Sequence, residues 1–115
     1  WYAIHASDML FKLLGRGCET VTRTYTPDQD EITCRWTDGR IGTVRALRPY
    51  SDFGAVVFTK DNKVQQSPPK FEYSYVPLVK EIVQFFQTGK PPVDPEETLE
   101  IFAFLDAAQK SREQN

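Results

Sequence analysis

The order of patterns along the chain predicts an α+β domain: one helix first, then four or five strands, then two helices. Three observations carry that expectation. Apolar residues recur at helical spacing from Ala3 to Leu14, alternate with polar ones in short runs between Glu19 and Gln66, and return to helical spacing after Ser74. Because the strands are gathered rather than interleaved with helices, the sheet is expected to be largely antiparallel and open. The two C-terminal helices are expected to pack on one face of it. A chain of 115 residues is one ordinary domain, so a single domain over residues 1–115 is expected.

The first helix is assigned to Ala3 to Leu14 because Ile4, Leu10, Phe11, Leu13 and Leu14 recur at its period, and Gly15-Arg16-Gly17 ends it. From Glu19 to Thr26 the period is two: Thr20, Thr22, Thr24 and Thr26 face one way, Val21, Arg23 and Tyr25 the other. A second strand runs from Glu31 to Thr37 with Ile32, Cys34 and Trp36 on one side. Asp38-Gly39 predicts a two-residue hairpin turn, which would pair Trp36 with Ile41, Cys34 with Thr43 and Ile32 with Arg45. Further strands are expected at Ile41 to Arg48, Phe53 to Lys60 and Lys63 to Gln66, the last two joined by Asp61-Asn62. Ser74 is a candidate cap for a helix with Tyr75, Val79, Ile82, Val83 and Phe86 on its apolar face, ending at Gly89. Asp94-Pro95-Glu96-Glu97 supplies a cap, a first-turn proline and a capping-box carboxylate for the last helix. Its apolar residues spread wider than one stripe, which predicts burial on two sides.

Composition narrows the chemistry. A formal charge of −2 with both signs interspersed argues against a nucleic-acid partner, and no apolar run approaches the ~18 residues of a membrane span. The two cysteines, Cys18 and Cys34, are read as buried free thiols, with a Cys18–Cys34 disulfide as the alternative, and with His5 the only histidine no zinc-ligand spacing exists. There is no G-x-G-x-x-G and no G-x-x-x-x-G-K-[ST], so no residue of the chain is a candidate for binding a dinucleotide or nucleotide cofactor.

Two polar constellations remain. His5, Asp8 and Lys12 share one helical face, where a carboxylate beside an imidazole can tune it for proton transfer. The same spacing also suits a solvated face with an Asp8–Lys12 pair. Arg23, Arg35, Arg45 and Arg48 stand among Thr, Tyr and Trp on the strands. That set fits a subunit interface, a solvated sheet face or a direct ligand contact, in that order.

The two ends of the chain carry a resemblance. Pro92-Val93-Asp94-Pro95-Glu96-Glu97-Thr98-Leu99-Glu100-Ile101 through Ala107-Ala108-Gln109-Lys110-Ser111 resembles the closing helix of the glucose–fructose oxidoreductase / inositol dehydrogenase / MocA (Gfo/Idh/MocA) family. Ile4-His5-Ala6-Ser7-Asp8-Met9-Leu10 to Leu14-Gly15 is similar to that family's "D-x-G-x-H-x-x-D-x-x-x-x-L-x-G" segment, with Trp1 and Ala3 where the pattern has aspartate and glycine. The resemblance implies the substrate-side, sheet-forming C-terminal domain of an NAD(P)-dependent sugar or polyol oxidoreductase. The cofactor and a catalytic lysine would lie on a separate Rossmann domain, and this chain would be inactive alone. It further implies His5 as the catalytic residue, Asp8 as a substrate-binding residue matching the family's acid three positions later, and a homo-oligomer formed through the sheet; Arg23, from the sheet arginines, is the other candidate substrate-binding residue. The rival expectation is a stand-alone α+β dimerisation or sugar-binding module without enzymatic activity.

Overall fold

The computed structural model describes residues 3–49, 52–68 and 74–114. Eight elements follow in chain order: α1 (Ala3–Leu14), β1 (Cys18–Tyr25), β2 (Gln29–Trp36), β3 (Ile41–Leu47), β4 (Val56–Phe58), β5 (Val64–Gln66), α2 (Val76–Thr88) and α3 (Pro95–Gln114). The fold is α+β, and every strand pairing among the described residues is antiparallel. The strands form two sheets, β1-β2-β3 and β4-β5. Pro49, just past β3, has no N–H to donate, so the ladder ends there. The chain divides into two compact units, one built from Trp1–Asp52 with Pro95–Asn115 and the other from Phe53–Asp94.

In the first unit, α1 lies against β3, α3 lies against β1, and the two helices touch. Strand β2 alternates without a fault: Asp30, Ile32, Cys34 and Trp36 turn inward, Glu31, Thr33 and Arg35 outward. The core joins these to Leu10, Phe11, Val44, Ile101, Phe104 and Ala108. Full burial of each large side chain contributes roughly 1.5–3 kcal/mol. Helix α1 buries Ala3, Ser7, Leu10 and Phe11, whereas Ile4 and Leu13 stand exposed. The small Ala3 and Ser7 let the helix sit close, and the Ser7 hydroxyl is satisfied by donating to the Ala3 carbonyl at 2.8 Å. Helix α3 buries a single stripe, Ile101, Phe104 and Ala108, while Leu99 and Phe102 are exposed. Its breadth of apolar residues does not become burial on two sides.

The β2–β3 register differs by one residue from the two-residue turn expected of Asp38-Gly39. Arg35 pairs with Ile41, Cys34 with Gly42, Thr33 with Thr43 and Ile32 with Val44. The loop holds three residues, closed by the Trp36 N–H on the Arg40 carbonyl at 2.8 Å and by the Gly39 N–H on the Trp36 carbonyl at 2.9 Å. Gly39 takes φ of +88°, the left-handed third position of that loop. The core explains the choice. With Asp38-Gly39 as a two-residue turn, buried Ile32 would face Arg45, and a one-residue slip turns every side chain to the other face.

Gly42 marks the closest approach of α1 to the sheet. A Cβ there would stand 2.7 Å from Leu10 Cδ1, 2.8 Å from Leu14 Cδ1 and 3.0 Å from Trp36 Cζ3. Gly42→Val is therefore expected to cost about 1–3 kcal/mol by overpacking, read as a lower midpoint in urea unfolding at unchanged slope.

Acids at the start of α3 hold the corner between α1 and β1. Glu100 Oε1 accepts the N–H groups of Gly17 at 2.7 Å and Cys18 at 2.8 Å. Arg16 Nη1 reaches Glu96 at 2.6 Å, and Lys12 Nζ reaches Glu97 at 2.6 Å. Carboxylates in the first turns of a helix also complement its dipole.

In the second unit, β4 and β5 make a short hairpin whose turn places Asn62 at φ 60°. Helix α2 starts with the Val76 N–H on the Ser74 hydroxyl at 3.2 Å and ends at Gly89, whose N–H bonds the Phe85 carbonyl at 2.8 Å. No residue of α2 is buried, so Val79, Ile82, Val83 and Phe86 present an open apolar face.

Candidate functional site

The expected proton-transfer group lies on the solvent side of α1. His5 and Asp8 are both exposed, three positions apart on a helix whose opposite face is locked into the core. Lys12, on the same face, is engaged by Glu97 of α3, and that hydrogen bond raises its pKa. The ion pair on this face is therefore Lys12–Glu97 in place of Asp8–Lys12. Trp1 lies outside the described residues. Ala3 is buried, with its carbonyl taken by Ser7.

Arg23 turns the other way. It is 3% exposed, and its Nε donates to Asp30 Oδ1 at 2.7 Å while Nη1 donates to Gln109 Oε1 at 3.2 Å. Its own N–H donates to the Ser111 hydroxyl at 3.0 Å. These partners belong to β2 and α3, so the guanidinium expected at a sugar instead serves a buried ion pair. Asp30 is fully buried and is met a second time by Arg48 Nη2. Tyr25 is the β1 partner of Asp30 across the ladder, with the Arg112 guanidinium 4.0 Å and that of Arg48 5.2 Å from its ring centre. Arg23, Thr24, Tyr25 and Arg112 line a pocket of about 490 Å³.

Sequence reasoning placed neither Asp30 nor Arg112 in a site. The signal for Asp30 was its parity: two residues before Ile32, it falls on the inward side of β2, diagonal to Arg23 across the ladder. Arg112 carries no such signal, because the end of α3 is brought to Tyr25 only by tertiary packing.

The outward face of the three-stranded sheet is a grid. Thr20, Arg35 and Ile41 form one row, Thr22, Thr33 and Thr43 the next, Thr24, Glu31 and Arg45 the third. All nine are exposed. Arg35 bonds Glu19 at 3.0 Å and Arg45 approaches Glu31 at 4.0 Å, so the charges on this face are internally paired.

Both thiols are free. Burial, with Cys18 beside it, pushes the Cys34 thiol up to about 12, and burial together with Glu100 raises Cys18. The thiolate is the reactive form, so at pH 8 Cys34 carries about a thousandfold less of it than an ordinary cysteine. Native protein is expected to react with an aromatic disulfide reagent far more slowly than protein in guanidinium, where both thiols should titrate at once. Among the described residues, no group of three or more His, Cys, Asp or Glu side chains stands together to hold a metal ion. No helix among them is long and apolar enough to cross a membrane. Comparison with known proteins finds no matching family model, no matching curated protein and no matching solved structure.

Proposed function

We propose that the chain is the substrate-side and oligomerisation domain of an NAD(P)-dependent sugar or polyol oxidoreductase of the Gfo/Idh/MocA type. The observation that carries this reading is the placement of His5. It stands exposed with Asp8 on one side of a helix whose other face packs on an antiparallel sheet, the side on which a substrate held by a separate dinucleotide-binding domain would be met. In this reading the imidazole would move the proton of a sugar or polyol carbinol and Asp8 would orient the imidazole or a sugar hydroxyl, the hydride chemistry being what a nicotinamide bound on the separate domain would supply. The Thr–Arg grid forms the contact between subunits, since a sheet face left uncovered on one side suits an isologous pairing.

Assayed in the whole oxidoreductase, His5→Ala is expected to lower kcat by about 10²–10⁴ while changing sugar affinity little. Unchanged turnover would return His5 to an ordinary solvated helix face. The alternative of a dimerisation module without activity is favoured by the same open grid. The His5 result separates the two, because only the enzyme reading gives that residue a kinetic effect.

A further inference from the structure

We infer that the pocket where the end of α3 meets β1 binds a phosphate group, carried by a small phosphate ester or as the free ion. The inference uses this chain alone and is independent of the oxidoreductase reading.

Charge balance is the first argument. Two guanidinium groups, those of Arg48 and Arg112, lie over the Tyr25 ring, and Arg23 lines the same pocket while holding the buried carboxylate of Asp30. Asp30 is already held by both Arg23 and Arg48. The Arg48 Nη1 group is further occupied by the carbonyls of Thr26 at 3.1 Å and Pro27 at 3.4 Å. The acid next to Arg112 in sequence, Glu113, accepts from Gln109 Nε2 at 2.9 Å. Gln109 is neutral and leaves the Glu113 charge in place, so three guanidinium groups against Asp30 and Glu113 leave one positive charge over, inside a chain whose total is −2.

Geometry is the second. Arg112 has no hydrogen bond and no ion pair among the described residues, and only its flat face is used, stacked 4.0 Å from the Tyr25 centroid. Stacking leaves the N–H fork at the guanidinium edge unspent, and that fork matches the oxygen spacing of phosphate. The ring holds the side chain in place before any ligand arrives, so little rotamer freedom is lost on binding. Beside it the pocket, about 490 Å³, has the size of a small-ligand site. The unspent guanidinium edge favours an oxyanion such as a phosphate group.

The test is a titration of isotope-labelled protein, followed by amide and arginine side-chain NMR at constant ionic strength. One arm uses inorganic phosphate, the other a hexose 6-phosphate, and chloride is the control. Saturable shifts at Thr24, Tyr25 and Arg112, absent with chloride, are expected in at least one arm; tighter binding of the ester would identify it as the natural form. Arg112→Ala, and Arg112→Gln with its longer stem, should each weaken binding roughly tenfold or more, the loss of one charge-assisted contact. Arg35→Ala, on the opposite face of the sheet, should leave binding unchanged. No saturable shift in either arm would overturn the inference, as would equal weakening by Arg35→Ala and Arg112→Ala.

Discussion

Asp30→Ala is expected to lose about 3–5 kcal/mol of stability, the largest effect of any polar substitution in the first unit. The carboxylate is fully buried and joins Arg23 of β1 to Arg48 beyond β3, so its removal takes the paired carboxylate from a guanidinium that is itself 2% exposed. Gln109 does not compensate a buried positive charge, because an amide oxygen offers a dipole where a counter-ion is needed. The double variant Arg23→Met with Asp30→Leu is expected to recover most of the loss, since apolar isosteres often replace a buried pair without cost. Urea unfolding of the wild type, the single variant and the double variant measures this directly. A single variant as stable as the wild type would show that Arg23 finds water or another acceptor when Asp30 is gone.

Phe11→Ala is expected to cost about 3–5 kcal/mol by a different route. Its ring is fully buried, with centroids 5.5 Å from Trp36 and 5.7 Å from Phe104, so one side chain ties α1 to both β2 and α3. Deleting it opens a cavity at the junction of three elements, none of which can move in without pulling away from another. Against a total stability on the order of 5–15 kcal/mol, the variant should show a sharply lowered Tm and loss of the near-ultraviolet signal of Trp36. A mild effect would mean that Leu10 and Leu14 refill the space.

How far this structure was legible in the residues depended on whether the deciding contact was local. The span of α1, the parity of β2 and the proline-capped start of α3 follow from periodicity and capping chemistry, which act within a few residues. The register of the β2–β3 hairpin did not follow. Asp38-Gly39 suits both a two-residue and a three-residue loop, and the choice fell to Ile32 meeting Val44 in the core. The buried side of α1 was misjudged for a similar reason. Ala3 and Ser7 look unremarkable as sequence, yet their small size lets the helix close on the sheet, leaving Ile4 and Leu13 outside. Within the candidate site, His5 and Asp8 were legible from helical spacing. The inward turn of Arg23 was visible in its parity with Val21, but its destination became clear only with Asp30 and Gln109 across from it.

The first unit is sewn from both ends of the chain, with residues 53–94 passing between its third strand and its closing helix. During vectorial synthesis the sheet and α1 leave the ribosome long before Ile101, Phe104 and Ala108 exist to cover them. The nascent chain therefore waits with its core incomplete, and a stop codon anywhere before α3 should yield an aggregating product in place of a smaller folded one. The intervening segment has the opposite character: it bridges a gap whose closure cost grows only slowly with length, so it is where insertions should be tolerated best.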